Sequence, residues 1–206
     1  MTLLVLLDHA AAAVFAATGA LAASRQQLDI VGFLFLAALT AVGGGTIRDL
    51  LLDRDVFWIV DPGVIGVTAL VALLVFFTAH LLESRLRTLT WLDALALSVA
   101  VAAGSGAALQ AGQPGVIVAL MGVTTGVMGG LMRDVVCNEV PLVLKQGELY
   151  ASAALAGALA TILAARFGLA PLPALIACAA LTFTLRAGSI AFGWRLPVYR
   201  SRPPRS

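Results

Sequence analysis

The 206-residue chain is 61% hydrophobic and only 12% charged, carries a formal net charge of +2 and has a mean hydropathy of +1.01. This composition leaves too little polar surface to cover a soluble globule. The sequence also lacks the metalloprotease, phosphate-loop and nucleophile-elbow motifs of common soluble enzymes. We therefore expect a membrane protein that is not an enzyme and has no nucleic-acid partner.

In chain order, the sequence contains apolar runs close to the roughly 20 residues that a membrane-spanning helix needs. The runs are apolar on every face instead of alternating between apolar and polar residues, which favours helices. The pattern predicts an all-α membrane protein with seven transmembrane helices. The predicted spans are 2–23, 30–47, 64–82, 92–109, 116–132, 149–165 and 172–190.

The second and fifth spans end in the same motif. The pattern T-x3-G-G-x2-R-D begins at Thr40 and returns at Thr125, a shift of 125 − 40 = 85 positions. Asp8 and Asp93 obey the same shift near the start of the first and fourth spans. The chain therefore contains a duplicated unit, which is typical of membrane pathways built from two halves.

Each copy contains three predicted helices, and an odd number of spans forces the second copy to enter the membrane from the opposite side. The halves are therefore predicted to be inverted, as residues 1–84 and 85–168. Residues 169–196 form the unmatched seventh helix, and the basic tail 197–206 is expected to be disordered.

Basic residues mark the cytoplasmic side of a membrane protein. The predicted spans place most of them on one side, which puts the N-terminus outside and the C-terminus in the cytoplasm. The high alanine content and the basic tail on the cytoplasmic side suit a bacterial plasma membrane, where we expect a multi-pass protein. The cytoplasmic set is Arg25, Arg85, Arg87, Lys145, Arg195, Arg200, Arg202 and Arg205.

Adjacent glycines interrupt the second and fifth spans. Each glycine costs about 1 kcal/mol relative to alanine inside a helix, so the sequence predicts kinked or broken helices at these points. Carbonyls freed by a break must face protein or a wet cavity, where they could coordinate cations together with the hydroxyls of Thr40 and Thr125. The glycines concerned are Gly43, Gly44 and Gly45 in the second span and Gly129 and Gly130 in the fifth.

The glycine clusters lead into two Arg-Asp pairs, Arg48-Asp49 and Arg133-Asp134. Four charges left unpaired at the bilayer centre would cost about 10 kcal/mol in total. We therefore expect each arginine to pair with an aspartate, and the pairs could cross the pseudo-two-fold axis between the halves. A single copy would suggest an interfacial anchor, whereas duplication favours a shared pathway.

Other charged residues are secondary candidates for the pathway. Asp8 and Asp93 are interpreted mainly as helix caps, with a pore entrance as the alternative, and Asp29 is a plain cap. Lys145 is expected to anchor the chain at the interface. Arg186 in the seventh helix either snorkels to the interface or lies next to the pore.

The motif Gly44-Gly45-x2-Arg48-Asp49, its copy Gly129-Gly130-x2-Arg133-Asp134 and the following Val140-Pro141 to Tyr150 stretch resemble the trimeric intracellular cation channel family and its bacterial members. The resemblance covers about residues 5–190. It implies a homotrimer in membrane lipid, with a pore in each protomer between the kinked second and fifth helices. It also implies conduction of K⁺ and other monovalent cations such as Na⁺, with no cofactor or structural metal.

Two functions therefore stay open on the sequence. The first is a passive monovalent cation channel. The alternative is a secondary transporter for a small solute such as glycine, in which the inverted halves alternate access to a central site. A scaffolding role without transport is the least favoured, because it would not explain duplicated charge pairs in the membrane.

Overall fold

The computed structural model describes residues 2–82 and 84–199. Regular structure in these ranges is helical, apart from an isolated bridge between Glu148 and Arg195. The helices are α1 Leu3–Arg25, α2 Ile30–Leu51, α3 Phe57–Val60, α4 Gly63–Thr78, α5 Arg85–Gln110, α6 Gly115–Val136, α7 Ala151–Arg166 and α8 Pro171–Phe192, with 3-10 turns at Ala79–Leu81 and Leu142–Leu144.

The seven predicted spans coincide with α1, α2 and α4 to α8. Six helices in the described ranges, those other than α3 and α7, are long and apolar enough to cross a membrane when α4 is taken with the 3-10 turn that follows it. The seventh, α7, is apolar but has only 16 residues. The chain is therefore an all-helical, multi-pass membrane protein, and the crossing by α7 stays a prediction.

Polar side chains set the helix starts. Asp29 accepts a hydrogen bond from the Gly32 amide at 2.8 Å, so its predicted capping role is confirmed. Ser84 caps α5, which therefore begins well before the expected start at residue 92. The capping roles expected of Asp8 and Asp93 are wrong, because both residues lie inside helices, where their carboxylates pair with arginines instead.

Glycine allows two helix pairs to pack closely. A Cβ added at Gly19 on α1 would collide with the Leu36 carbonyl of α2, and one added at Gly104 on α5 would collide with the Met121 carbonyl of α6. Small residues let helix backbones approach in this way inside membranes. The two contacts are related by the 85-residue shift, so α1 packs on α2 as α5 packs on α6.

The helices α2 and α6 cross through the duplicated motif. A Cβ at Gly44 would meet the Thr125 carbonyl oxygen, and a Cβ at Gly129 would meet the Thr40 carbonyl oxygen. Position 44 faces 125 while position 40 faces 129, so the two helices run antiparallel at the crossing. Their C-terminal ends therefore point to opposite ends of the bundle.

The predicted helix breaks are absent at this crossing. Helix α2 continues through Gly43, Gly44 and Gly45, and α6 continues through Gly129 and Gly130. Packing between the two helices outweighs the weak helix propensity of glycine, because the missing Cβ is what admits the facing backbone. A bend that preserves helical hydrogen bonding stays a prediction.

Helix α8 packs on α5 and α7. It ends at Gly193, which adopts a φ of +69°, and the chain then turns back so that the Leu196 amide donates to the Gly147 carbonyl at 2.8 Å. Residues 197–199 are exposed. The rest of the tail predicted to be disordered, 200–206, lies outside the described residues.

Candidate ion pathway

The first charge cluster, defined as Asp8, Arg48 and Asp49, joins α1 to the last turn of α2. The Arg48 guanidinium donates to Asp8 at 2.7 Å through Nη1 and to Asp49 at 2.8 Å through Nε. Asp49 also accepts from the Phe57 amide at 3.0 Å. The side chains of Arg48 and Asp49 are each 1% exposed, and that of Asp8 is 14% exposed.

The second charge cluster, defined as Asp93, Arg133 and Asp134, repeats this geometry on α5 and α6. Arg133 donates to Asp93 and to Asp134, both at 2.8 Å. Asp134 accepts from the Leu142 amide at 2.9 Å. Each partner lies 85 positions after its equivalent in the first cluster, but here the Asp93 side chain is 0% exposed.

The predicted pairing of arginine with aspartate is therefore found, but not across the two halves. Each arginine pairs within its own half, because the close α1–α2 and α5–α6 contacts place Asp8 beside Arg48 and Asp93 beside Arg133. Removing a buried charge from its partner costs several kcal/mol, so the clusters tie each pair of helices together. Each cluster sets one guanidinium against two carboxylates.

A cavity of about 590 Å³ lies at the C-terminal end of α2, and we call it the first mouth. Four carboxylates line it with a single guanidinium, that of Arg54. Its lining includes the imidazole of His9, whose Nε2 lies 3.5 Å from Asp61 Oδ2. A cleft lined by one sign of charge concentrates counter-ions. The carboxylates are those of Asp8, Asp53, Asp55 and Asp61.

A cavity of about 330 Å³ lies at the C-terminal end of α6, and we call it the second mouth. Lys145 lies here with Asp134, so the structure brings this secondary candidate to the second cluster. Arg25 donates to Glu139 at 2.8 Å on the same lining. Two basic and two acidic side chains balance, in contrast to the acidic first mouth.

The crossing of α2 and α6 separates the two mouths. A void of about 10 Å³ remains there, lined by Thr40, Gly44, Gly45 and Thr125 among others. This volume has room for about one water molecule. Both threonine hydroxyls donate to carbonyls of their own helices at 2.6 Å. The predicted pathway residues Thr40, Gly44, Gly45 and Thr125 therefore surround an almost closed void.

The other predicted glycines contact side chains near the crossing. A Cβ at Gly43 would lie 2.6 Å from the Met132 sulfur, and a Cβ at Gly130 would lie 3.1 Å from the Tyr150 hydroxyl. Gly45 is covered by the ring of Phe57. These three glycines therefore admit side chains, whereas Gly44 and Gly129 admit backbone.

Arg186 lies away from both mouths and from the surface. Its side chain is 0% exposed, so it does not snorkel. It donates to Glu148 at 2.7 Å, and its guanidinium carbon lies 5.0 Å from the centre of the Tyr150 ring. Tyr150 in turn lies beside Gly130 and Asp93, so Arg186 reaches the second cluster only through Tyr150.

The sequence reasoning missed several residues of this region. Phe57 and Leu142 occupy equivalent positions of the repeat, and the amide of each donates to the second aspartate of its cluster. The 85-residue shift was therefore a signal that could have found them as a pair. Glu148 gave no such signal, because its equivalent in the first half is Gly63. The sequence singles out Tyr150 only as the end of the family-like stretch 140–150, and its burial beside the second cluster does not follow from its equivalent, Ile65. His9 also lines the first mouth, although an isolated histidine in an apolar run gives no sign of this in the sequence.

The fold and this site define a class: a multi-pass helical membrane protein in which two antiparallel helices cross between buried charge clusters. A family model described as a glycine transporter matches the chain twice, over residues 5–80 and 90–166, and the two matches start 85 positions apart. The chain belongs to this family and is a bacterial member of the trimeric intracellular cation channel family.

Similar proteins cover most of the chain. The UPF0126 inner membrane protein YadS of Escherichia coli is 42% identical over 73% of each chain. A UPF0126 membrane protein of Vibrio cholerae is 37% identical over 96% of this chain and 83% of its own. The trimeric intracellular cation channel orthologue from Rhodobacter sphaeroides superposes with a TM-score of 0.90 at 44% identity, covering 94% of this chain and all of the other.

Proposed function

We propose that this protein is a monovalent cation channel that conducts K⁺ through a path inside each protomer, along the crossing of α2 and α6. The main observation that supports this proposal is the pair of mouths at opposite ends of these antiparallel helices, each of which borders a charge cluster. The glycine-threonine crossing, with a void of about 10 Å³, lies between them. The Rhodobacter sphaeroides protein of the same fold is described as a trimeric intracellular cation channel.

The pathway residues take distinct roles in this proposal. Gly44 and Gly129 keep the crossing tight, so a small separation of α2 and α6 would open it. The hydroxyls of Thr40 and Thr125 line the opened section beside the helix carbonyls. The remaining members are Gly43, Gly45, Gly130, Arg48, Asp49, Arg133 and Asp134, with Asp8, Asp93 and Lys145 at the mouths.

Cation preference follows from charge. Each cluster has one more carboxylate than guanidinium, and the first mouth adds the exposed carboxylates of Asp53, Asp55 and Asp61. The resulting negative field at the first mouth favours cations and repels anions there, whereas the second mouth is balanced in charge. The field does not separate K⁺ from Na⁺, so we expect both to pass.

The two halves are proposed to be inverted across the membrane, with the first mouth outside and the second mouth in the cytoplasm of a bacterial inner membrane. The antiparallel crossing and the two family matches support this arrangement. The basic residues Arg25 and Lys145 at the second mouth agree with the positive-inside rule. The name of the Rhodobacter relative supports a homotrimer.

A secondary transporter for glycine is the alternative, and the description of the family model favours it. A carrier needs a central site large enough for its solute between two gates. The void at the crossing, about 10 Å³, is too small for glycine, whereas dehydrated ions need little space. Solved structures of this fold that are 28–44% identical to the chain are described as trimeric intracellular cation channels, which favours the channel.

Purified protein in planar bilayers distinguishes the two functions. A channel gives unitary current steps with a reversal potential that follows the K⁺ gradient. A carrier gives saturable glycine uptake into liposomes and no unitary steps, and that result would reject the proposal. Asp49→Asn and Asp134→Asn should change unitary conductance, whereas Arg166→Gln, at the exposed end of α7, should leave it unchanged.

A further inference from the structure

The second charge cluster has a support that the first one lacks. Tyr150 stands at the start of α7, 2% exposed, with its hydroxyl close to Gly130 and the Asp93 carboxylate. The equivalent position in the first half is Ile65, which is 36% exposed. The 85-residue symmetry of the two halves is therefore broken at this position.

The support comes from α8, the helix without a counterpart. Arg186 donates to Glu148 at 2.7 Å and lies 5.0 Å from the centre of the Tyr150 ring. A guanidinium over an aromatic face is attracted by the ring, more strongly where water is excluded. Arg186 therefore fixes two residues of the same loop, one by charge and one by stacking.

The segment after α8 reinforces this loop. Ser189 accepts from the Leu149 amide at 3.1 Å and donates to the Trp194 carbonyl at 3.0 Å. The Leu196 amide donates to the Gly147 carbonyl at 2.8 Å. Residues 147–150 are thus held from α8 and from the returning chain, by hydrogen bonds on both sides of Glu148.

The guanidinium of Arg186 has bonding capacity beyond this pair. Its Nε and Nη2 are buried without a hydrogen-bond partner, and so is the Tyr150 hydroxyl. Buried donors in this condition are costly. Tyr150 is therefore held by its burial and by the contact of its ring with Arg186.

We propose that Arg186 is a positioning residue for gating: by holding Glu148 and Tyr150 it keeps the Tyr150 hydroxyl seated beside Gly130 and Asp93, and so keeps closed the section of the path between the crossing and the second mouth. The proposal rests on the proposed channel function. It means that the two ends of the path open with different ease, because the first mouth has no helix in the position of α8. Arg186 itself does not contact the permeant ion.

The test is a mutant cycle read by single-channel recording. Arg186→Gln is the primary variant, because the Glu148 side chain is already 33% exposed and can be hydrated when its partner is removed. We expect Arg186→Gln and Glu148→Gln each to raise the open probability about tenfold, and the double variant to add little more. Unitary conductance should stay at the wild-type value, and Arg166→Gln is the matched control.

Hydrogen exchange measured by mass spectrometry gives a readout that does not need conduction. Arg186→Gln should speed exchange in residues 142–150 and leave the equivalent segment 57–65 unchanged. Faster exchange with unchanged open probability would show a purely structural role and overturn the proposal, as would additive effects in the cycle or unchanged exchange. Absence of unitary currents from the wild-type protein would instead overturn the channel function, while the exchange pattern would still decide whether Arg186 holds the loop.

Discussion

The two charge clusters share one hydrogen-bonding frame but have different surroundings. In both, an arginine in the last turn of a helix joins its neighbouring aspartate to a second aspartate from the preceding repeat helix. Asp8 borders a cavity of about 590 Å³, whereas Asp93 is sealed beneath Tyr150. The duplicated frame therefore sets the local geometry, and the residues packed on it set access to water.

The mouths differ in charge for the same reason. Equivalent positions carry different residues: Arg54 corresponds to Glu139, Asp55 to Val140, Val60 to Lys145 and Gln110 to Arg25. The first mouth is consequently acidic and the second is balanced.

The largest expected effect is on stability, and it should separate the two clusters. Arg133→Gln leaves the fully buried Asp93 without its partner, which should cost about 3–5 kcal/mol. Arg48→Gln should cost less, because Asp8 can be hydrated from the first mouth. Thermal unfolding midpoints of the detergent-solubilised proteins measure the difference, with Arg166→Gln as control. Equal losses from the two variants would contradict the comparison.

A second effect is expected at the crossing, where the halves should behave alike. Gly44→Ala and Gly129→Ala each place a methyl group against a facing carbonyl, and overpacking of this kind costs about 1–3 kcal/mol. Either change pushes α2 and α6 apart and should therefore raise K⁺ flux into liposomes. Gly66→Ala on α4 is the control, since nothing lies within 4 Å of its added Cβ. A change of flux in only one of the two variants would argue against a shared crossing.

The smallest expected effect concerns the first mouth. Changing Asp53, Asp55 and Asp61 to Asn should lower the cation current entering from that side about threefold at low salt. The effect should disappear near 1 M KCl, where the screening length is about 3 Å. Glu139→Gln at the second mouth should do less, because Arg25 already neutralises it at 2.8 Å. A loss that persists at high salt would indicate damage to the path itself.

The duplication was readable from the sequence because it fixes helix ends, buried charges and the crossing together. Residues 30–51 and 115–136 form helices of equal length in register with the repeat. The helix breaks were predicted wrongly, since glycine can signal either a weak backbone or a close contact, and only the facing helix decides between them. The contact of Asp8 with Arg48 likewise depends on the close packing of α1 against α2.

The contribution of α8 could not be predicted at all. Arg186 and Glu148 are 38 residues apart; Arg186 lies outside the repeat, and the position equivalent to Glu148 is occupied by Gly63. A lone arginine in an apolar helix has no periodic pattern to indicate its partner. The pairing depends on the packing of α7 against α8, which brings the loop 145–150 beside Arg186.

The central claim is that cations pass between α2 and α6, and blockage at the crossing tests it most directly. Thr125→Cys, in a background carrying Cys137→Ser and Cys178→Ala, places one thiol at the void between the mouths. A small cationic thiosulfonate should abolish the unitary currents of this protein and leave those of the cysteine-free parent unchanged. Currents that persist after complete modification of the thiol would show that the ions take another path.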